Sequence, residues 1–399
     1  YDLWRIPPVS LTFGRKPEVF IMQKERNRGG RLLKCGYTTG TCAAAAAKAA
    51  VQTLLSGDPA KEIGVMLPGG ETLCLRVADI RREINAATCA VRKDAGDDPD
   101  ATNGMLVYAT ARLGKAGISI DGGEGVGRVT QIGLDQPVGA AAINSVPRQM
   151  IESAVRDVCD TFSYEGGISI VIFLPDGERL AEKTFNPRMG IEGGLSIIGT
   201  TGIVEPMSNQ AVVDTVRLAL RQLACGGAKG VLFTPGNYGE SFVKNSLSLS
   251  LCHYVSCANH IGAAIDAAVE LGFSDILLVG HIGKLVKLGI GQTDTHSSFG
   301  DGRMETLIAC ALESGAELPL LRAMLDCVST DAALSLLYNN GLLEKTMRVL
   351  GKRIEGCLAR RVPNGVSIGF LCFTNAKPFA GVLCQSENAD RLMRIWRKA

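Results

Sequence analysis

The sequence lacks the features that mark several classes of protein. Its 399 residues contain no run of about 18 uncharged apolar residues, so we expect no transmembrane helix and no membrane partner. None of its 13 cysteines are spaced as Cys-x-x-Cys, and most lie in apolar stretches, which is not the pattern of a disulfide scaffold. A reducing cytoplasm is therefore the expected location.

Basic residues are concentrated at the N-terminal end of the chain. Residues 1–34 carry eight Lys or Arg and three acidic residues, which leaves 34 basic and 37 acidic residues beyond them. A nucleic-acid-binding body is normally plainly basic, so we expect no nucleic-acid partner. Residues 1–34 mix proline, glycine and charge without periodicity and have no apolar signal core. We interpret them as a disordered or loosely attached leader.

The next part of the chain follows the pattern of an α+β domain. Thr and Gly at residues 38–41 are good helix N-caps, and the alanine-rich run that follows is a strong helix former. Further on, turn residues indicate two hairpins: one pairs 63–67 with 72–77, and the other pairs 168–174 with 179–184 around Asp176-Gly177. Between the two hairpins we expect a helix over 147–161. Such a mixture predicts a sheet and helices in two layers.

A glycine motif at residues 123–127 matches the GxGxG of Rossmann methyltransferases. That motif has to open a helix, because the helix N-terminus binds the ligand. Here the glycines continue into Arg128-Val129-Thr130-Gln131-Ile132, a strand-like stretch. We therefore interpret the motif as a glycine turn.

Strands and helices alternate from residue 201 onward. Apolar runs at residues 230–234, 276–279 and 366–373 are separated by helical stretches, which is typical of a parallel sheet covered on both faces. We place the domain junction in the Gly-, Pro- and Thr-rich stretch before this region. The predicted organisation is a leader over 1–34, one domain over 35–200 and a second over 201–399.

The stretch from residue 276 to 305 carries the main functional signal. Its apolar run ends at Gly280, and two of the four histidines of the chain, His281 and His296, follow. In open α/β sheets, ligands bind beyond the carboxyl ends of the strands, where this run ends. Three cations lie in the same stretch: Lys284, Lys287 and Arg303. The alternative is an ordinary strand–loop–helix junction with a capping or packing histidine.

Three other groups of residues have both a functional and a structural interpretation. Thr38, Thr39 and Thr41 form an anion site at a helix N-terminus or simply cap that helix. The four carboxylates of residues 94–100 hold Mg²⁺ or, as we favour, cap surface turns. A zinc site at Cys252, His253, Cys257 and His260 is disfavoured, because the spacing fits no usual zinc pattern. We predict no protein-bound metal.

Six long segments of the sequence resemble the CbiD family, which methylates carbon 1 of cobalt-precorrin-5B in anaerobic cobalamin (vitamin B12) biosynthesis. The resemblance covers the chain from about residue 35 to the C-terminus. The matching segments are GYTTGTCAAAAAKAA (36–50), KDAGDDPD (93–100), GEGVGRVT (123–130), KTFNPRMGIEGGLSIIGTTGIVEPMS (183–208), GHIGKLVKL (280–288) and THSSFGDGRME (295–305). The chain departs from the family pattern at Asn103, where the family usually has His, and at His260, which replaces an aromatic residue.

The resemblance implies a reaction and a fold. It implies S-adenosylmethionine as methyl donor, and a corrinoid acceptor that brings its own cobalt. It also implies a two-layer α/β domain followed by a Rossmann-like three-layer α/β/α domain, an α/β fold class. A homo-oligomer and a transient handover of substrate with neighbouring pathway enzymes are left open.

This chemistry assigns roles to the candidate residues. Methyl transfer from a sulfonium needs two reactants held in line, and the carboxylates on the corrinoid rim call for Arg and Lys. The donor-binding candidates are Thr234, Gly236, Asn237, Gly239 and Gly280; the substrate-binding candidates are Thr38, Thr39, Thr41, Asn186, Arg188, Lys284, Lys287 and Arg303. His281 and His296 are the catalytic candidates. A neutral His281 would accept or relay a proton, or orient the substrate.

Two functions of other classes remain as alternatives. One is a non-catalytic corrinoid carrier, which would produce no S-adenosylhomocysteine. The other is a small-molecule kinase with the Thr/Gly-rich turn as a phosphate cradle, although the chain has no Walker lysine motif.

Overall fold

The computed structural model describes residues 24–28, 30–184 and 186–397. They form two compact units: unit 1 runs to Gln131 and from Asp135 to Met207, and unit 2 comprises Ile132–Leu134 and the chain from Ser208. Within the described residues, no helix combines the length and the apolar character needed to cross a membrane.

Unit 1 contains twelve strands and three helices among its described residues. The strands are β1 (Glu25–Arg28), β2 (Arg31–Lys34), β3 (Gly36–Tyr37), β4 (Glu62–Met66), β5 (Thr72–Arg82), β6 (Ala86–Arg92), β7 (Leu106–Gly114), β8 (Ile118–Gly122), β9 (Arg128–Val129), β10 (Gly167–Phe173), β11 (Ile191–Glu192) and β12 (Ile203–Val204). The helices are α1 (Thr39–Ser56), α2 (Ser145–Thr161) and α3 (Gly177–Ala181).

The main sheet of unit 1 has six strands in the order β4-β5-β6-β7-β10-β8. Its pairs are antiparallel except for β10 with β8. Alternate residues of β10, such as Ile168 and Ile170, point into a core that α1 and α2 share. The alanine run of α1 is buried on all sides, because small side chains let the helix approach both the sheet and α2. The predicted two-layer arrangement is confirmed.

Of three local predictions for unit 1, two are confirmed and one is wrong. The hairpin of 62–66 with 72–82 is present, and the 123–127 glycines form a turn that leads into β9, as expected. The hairpin at Asp176-Gly177 is wrong, because α3 starts at Gly177 and β10 pairs with β7 and β8 instead. The residues after Gly177 are good helix formers, and that preference prevails over the turn signal.

The second half of the predicted leader is ordered. β1 and β2 pair as an antiparallel hairpin, Lys24 lies 3.3 Å from Glu71, and Arg26 lies 2.8 Å from Glu205. A disordered or loosely attached segment is therefore wrong for β1 and β2, while residues 1–23 lie outside the described residues.

Unit 2 contains five strands and nine helices among its described residues. The strands are β13 (Gly230–Thr234), β14 (Tyr254–Ser256), β15 (Asp275–His281), β16 (Ser367–Thr374) and β17 (Gly381–Gln385). The helices are α4 (Asn209–Cys225), α5 (Asn237–Asn245), α6 (Ile261–Glu270), α7 (Ile282–Leu285), α8 (Arg303–Glu313), α9 (Leu318–Leu325), α10 (Thr330–Asn339), α11 (Leu343–Ala359) and α12 (Ala389–Met393).

The sheet of unit 2 has the strand order β14-β13-β15-β16-β17. Its first four strands are parallel, and β17 adds an antiparallel edge. Side chains alternate between two cores: Ile276 and Leu278 face α4, α6 and α8–α11, whereas Leu277 and Val279 face α5 and α12. Helices on both faces of a mostly parallel sheet make unit 2 a Rossmann-like three-layer α/β/α domain, as expected.

Candidate functional site

The strand order of unit 2 identifies one position at the carboxyl ends of its strands, between β13 and β15. The chain passes from β13 to β14 on one side and then to β15 on the other side of β13. The connections leaving β13 and β15 therefore diverge, and we refer to the position between their carboxyl ends, where open α/β sheets bind ligands, as the crevice. The 276–305 stretch predicted as functional runs along β15 and reaches this switch point at Gly280 and His281.

The loop after β13 depends on two glycines. Gly236 has φ 80° and ψ 178°, a conformation essentially restricted to glycine, and it caps α5 at its N-terminus. Gly239 packs on β13, because a Cβ there would stand 2.5 Å from the Cβ of Thr234. Thr234 is buried and shares a hydrogen bond of 3.0 Å with the Tyr254 hydroxyl. Of the predicted donor residues in this loop, Gly236 and the exposed Asn237 line the crevice, whereas Thr234 and Gly239 support it.

The end of β15 touches this loop. A Cβ on Gly280 would stand 3.0 Å from Pro235 Cγ and 2.8 Å from Leu285 Cγ. Glycine is therefore required for the close approach of the two strand ends. The loops after β13 and β15 meet at this point.

His281 is the last residue of β15 and the N-cap of α7. Its Nδ1 accepts the backbone N–H of Gly283 at 3.1 Å. Burial lowers the pKa of the imidazole, and the carboxylate of Asp331 partly opposes this shift. The capping role that the sequence analysis gave as the alternative is thus present in the structure.

Aromatic rings surround His281. It packs edge-on against Phe373 at 5.5 Å between ring centroids, and Tyr238 lies on another side at 5.9 Å. Tyr238 is 68% exposed, so a flat aromatic face borders the crevice. Asp331, at the start of α10, accepts the Thr374 hydroxyl at 3.1 Å. Sequence analysis missed Tyr238, Phe373 and Asp331, because no motif links them to His281.

Lys284 spans the crevice. A Cβ on Gly236 would stand 3.0 Å from Lys284 Cε, and the ammonium donates to Asn259 Oδ1 in the loop after β14. Burial lowers the pKa of Lys284, and repulsion from Lys287 adds to this shift, whereas Cys257 and the carboxylate of Asp294 oppose it. Within the described residues, its hydrogen-bond partner is a neutral amide, and no carboxylate forms an ion pair with it. Lys284 is therefore a half-buried cation at the switch point that no carboxylate contacts directly.

The other two predicted cations of this stretch are engaged within unit 2. Lys287 is 4% exposed, and its Nζ donates to the carbonyls of Thr295 and Gly300 at 3.2 Å and 2.9 Å. Lys287 lies on a 3₁₀ turn that follows α7, and its bonds to these carbonyls distinguish it from Lys284, whose ammonium donates to Asn259. Arg303 forms a two-point ion pair with Asp301, which holds the pKa of that carboxyl below its ordinary range.

His296 lies on an exposed turn. Its Nδ1 accepts the backbone N–H of Ser298 at 3.1 Å and contacts the Ser298 hydroxyl at 2.7 Å. The preceding Thr295 binds the loop after β14 through Asn259. His260 contacts Asp294 at 2.7 Å, which uses one nitrogen of the disfavoured zinc group. No cluster of three metal-ligating side chains occurs among the described residues.

The three threonines of unit 1 are bound to their own domain. The Thr38 hydroxyl accepts the Thr41 N–H at 3.2 Å, and the Thr41 hydroxyl donates to the Gly202 carbonyl at 2.7 Å. The Thr39 hydroxyl exchanges hydrogen bonds with both backbone groups of Ile198. All three residues are less than 9% exposed. The geometry therefore supports helix capping and attachment of a distant loop.

The remaining predicted residues of unit 1 have separate surroundings. Asn186 Oδ1 accepts the Ser196 hydroxyl at 3.3 Å. Arg188 lies on a short 3₁₀ turn over Pro187–Met189. In the acidic loop, Asp94 and Asp100 accept the backbone N–H groups of Gly96 and Thr102, whereas Asp97 and Asp98 accept those of Lys34 and Met207. Two of the four carboxylates therefore cap local turns, and the other two connect the loop to distant segments.

Comparison with known proteins gives the family. The model of the family described as "CbiD" matches residues 26–206, and that described as "CbiD, C-terminal domain" matches residues 294–381. A protein of Ruminiclostridium cellulolyticum named cobalt-precorrin-5B C(1)-methyltransferase is 42% identical over 87% of this chain and 91% of its own. One of the same name from Alkaliphilus metalliredigens is 40% identical over 94% and 98%.

A third relative and a solved structure are also similar. The cobalt-precorrin-5B C(1)-methyltransferase of Salmonella paratyphi B is 46% identical over 77% of this chain and 80% of its own. The crystal structure of a cobalamin biosynthesis protein (cbiD) from Archaeoglobus fulgidus is 26% identical, covers 72% of this chain and 94% of its own, and has a TM-score of 0.38.

Proposed function

The chain belongs to the CbiD family, and we infer that it is an enzyme that methylates carbon 1 of cobalt-precorrin-5B in cobalamin biosynthesis. The observation that carries this inference is the 42% identity over 348 residues to a relative named for that reaction. The product of that methylation is cobalt-precorrin-6A. The cobalt belongs to the substrate and is carried in with it.

We propose that the methyl donor is S-adenosylmethionine and that it binds at the switch point of unit 2. Ligands of open α/β sheets occupy this position, and Gly236 allows close approach to the backbone at the start of α5. The half-buried ammonium of Lys284 fits the carboxylate of such a donor. Asn237 and Tyr238 add an amide and an exposed aromatic ring at the same edge.

The contact between Lys284 and Gly236 changes one assignment. The sequence analysis gave Lys284 to the corrinoid rim, but its side chain lies against the loop proposed for the donor. We therefore assign Lys284 to the donor carboxylate. Arg188 and Asn186 remain candidates for the corrinoid side chains, while Lys287 and Arg303 position the loop that contains Thr295 and Asp301.

The chain contributes positioning and not covalent chemistry. S-adenosylmethionine supplies a methyl group already activated on a sulfonium, so no protein nucleophile is required. Residues of the crevice then have to hold two reactants in line and exclude water. The loops after β13, β14 and β15 are tied together by Lys284 with Asn259 and by Thr295 with Asn259, which fixes the crevice walls. Such fixed geometry is what an in-line displacement needs.

Neither alternative function gains support. The relatives named above are methyltransferases, and none is named as a carrier. A kinase would need the N–H groups of the Thr/Gly-rich turn for phosphate. The Gly40 and Thr41 N–H groups instead bind Ile198 O and Thr38 Oγ1.

A single reaction tests the proposed function. Purified protein is incubated with S-adenosylmethionine and cobalt-precorrin-5B, and the products are analysed by mass. We expect a corrinoid that is heavier by one methyl group and an equal amount of S-adenosylhomocysteine. Corrinoid binding without either product would support a carrier, and consumption of ATP in place of the donor would support a kinase.

A further inference from the structure

The hydrogen bond at His281 Nδ1 fixes where the imidazole carries its proton. A backbone N–H can only donate, so the Nδ1 that receives the Gly283 N–H at 3.1 Å has to present a lone pair. The proton of the neutral ring is therefore on Nε2. Protonating Nδ1 would place two N–H groups against each other and open the first turn of α7.

The surroundings of the ring favour the same state. Burial lowers the pKa of His281, because a charged imidazolium loses its solvation there. The rings of Phe373 and Tyr238 pack on two sides and carry no charge. Asp331 of α10 is the nearby acid, and it opposes the shift without reversing it. The ring thus stays neutral near pH 7, as a hydrogen-bond donor through Nε2.

The Nε2–H group has no acceptor within the described part of the protein; the hydrogen bond that His281 makes there uses Nδ1. Because Nε2 is not among the buried atoms without a partner, this hydrogen is accessible and available to a bound ligand. His296 has the same arrangement with Ser298 but lies on an exposed turn away from the strand end. His281 differs in its position, at the carboxyl end of β15 beside the switch point.

We propose that His281 donates a hydrogen bond from Nε2 to an oxygen or nitrogen acceptor of the bound corrinoid and orients that macrocycle, and that it does not remove a proton from it. This inference rests on the proposed function for the identity of the ligand. It separates two roles that the sequence left open, because a base needs a free lone pair and the only lone pair of this ring is held by Gly283. The group of the substrate that contacts His281 is therefore a hydrogen-bond acceptor.

Two substitutions separate the cap from the donor. Asn at position 281 places an amide oxygen near the position of Nδ1 and is a good N-cap, but it does not reach the position of Nε2. Gln places an amide N–H near the position of Nε2 and leaves the cap unfilled. We expect His281→Asn to melt within a few degrees of the unchanged protein and to lose about 100-fold in kcat/KM for the corrinoid, the effect of a misplaced reactant. His281→Gln should recover most of that loss despite a lower melting temperature.

The opposite order would overturn the proposal. If His281→Asn keeps full activity and His281→Gln is merely less stable, the residue is a cap and nothing more. If both variants are equally inactive in folded protein and the activity of the unchanged enzyme titrates with a single group near neutral pH, His281 is a base.

A direct measurement of the tautomer is independent of the reaction. Histidine labelled with ¹⁵N shows by NMR which ring nitrogen carries the proton, and the four histidines can be assigned by single substitutions. We expect the Nε2–H form for His281 across neutral pH. A proton on Nδ1 would refute the inference and leave the methyltransferase function untouched. An Nε2–H form in a protein that produces no methylated corrinoid would instead refute the proposed function alone.

Discussion

The side chain of Lys284 lies against Gly236, so that a Cβ on this glycine would stand 3.0 Å from Lys284 Cε. One residue follows β13 and the other follows β15, the two strands that flank the switch point. The contact places an ammonium at the glycine that caps α5. Binding of an anionic ligand at this position therefore depends on both residues together.

Replacing Gly236 by Ala should weaken binding of S-adenosylmethionine by at least about 10-fold. The methyl group would push Lys284 aside, and the conformation with φ 80° and ψ 178° is strained for alanine by about 1–3 kcal/mol. Isothermal calorimetry measures the affinity. Gly272→Ala is the control, because Gly272 has φ 81° and open space around it, so backbone strain alone should leave the affinity unchanged. Unchanged affinity in folded Gly236→Ala would place the donor elsewhere.

Lys284→Met and Lys287→Met should differ in what they change. Lys284→Met removes a half-buried ammonium and its hydrogen bond to Asn259, so we expect a small loss of stability, about 0.5–1.5 kcal/mol, and a loss of donor affinity of about 10- to 100-fold, the loss of one charged hydrogen bond. Lys287→Met leaves the Thr295 carbonyl without its donor, while Gln292 still donates to Gly300, and should cost about 1–3 kcal/mol of stability. A large increase in KM for the corrinoid alone in Lys284→Met would return this lysine to the corrinoid rim.

Asp100→Asn should destabilise unit 1 by about 3 kcal/mol, because it leaves a buried ammonium unpaired. Lys93 has a side chain that is 2% exposed, and its Nζ lies 2.6 Å from Asp100. Lys93→Met should cost less, since it removes the buried charge as well. Urea unfolding compares the two variants. Equal stability of Asp100→Asn and the unchanged protein would show that the pair contributes nothing.

The same ion pair predicts a pH dependence. Burial raises the pKa of Asp100, but hydrogen bonds from Lys93 and Thr102 outweigh it, so the folded pKa lies below the ordinary value. Its contribution is therefore complete above the unfolded pKa of about 3.9 and is lost as the pH falls through the folded pKa. The stability difference between the unchanged protein and Asp100→Asn should shrink below about pH 4. A difference that is constant from pH 7 to pH 3 would contradict this assignment.

Thr41→Val should lower stability and leave binding constants unchanged. The valine keeps the shape of the side chain but removes the hydroxyl that donates to the Gly202 carbonyl. This carbonyl still accepts the Thr38 N–H, so the cost is that of one hydrogen bond, about 0.5–1.5 kcal/mol. Kinetics at saturating donor measure KM for the corrinoid. An increase in KM without loss of stability would restore Thr41 as a substrate-binding residue. Ser56→Ala is a suitable control, because its hydroxyl bonds at the exposed end of the same helix.

A chain that begins at Leu33 should melt several degrees lower than one that begins at Lys24. The shorter chain lacks β1, the Lys24–Glu71 pair and the Arg26–Glu205 pair. In a small domain, each kcal/mol lost from the free energy of unfolding lowers the melting temperature by about 4–8 °C. In a protein of this size we expect about half of that change. Equal melting temperatures would support the interpretation of this segment as loosely attached.

The sequence was sufficient to predict the type and position of elements that have a strong hydrophobic or compositional pattern. The apolar run of β15 and the alanine run of α1 leave one plausible structure each, because a buried strand or a close-packed helix requires those residues. α5 was missed, since its start, Gly236-Asn237-Tyr238-Gly239, has the composition of a loop. Only the three-dimensional structure shows that Gly236 is a cap and that Gly239 packs on Thr234. A composition signal does not distinguish a turn from the first turn of a helix.

The strand end that carries the candidate site is legible in the sequence, but most of the residues around it are not. His281 and Lys284 were singled out because they follow that strand. Asp331 and Phe373 lie far along the chain and reach His281 through the packing of α10 and β16, which no local pattern encodes. Lys287 looked equivalent to Lys284, yet it is buried and its ammonium is bonded to two carbonyls of the chain. Those partners lie 8 and 13 residues later in an irregular loop, so no local pattern distinguishes the two lysines.

The attachment of α1 to a distant loop has a consequence for synthesis. The start of this helix bonds to Gly202, 161 residues later, and β3 pairs with β12. At about 5–20 residues per second, roughly 8–30 s pass on the ribosome between the two partners. During that interval an alanine-rich helix that is buried on all sides in the finished domain has no complete core. Unit 1 therefore completes its folding only after Val204 has emerged, and the nascent chain needs protection until then.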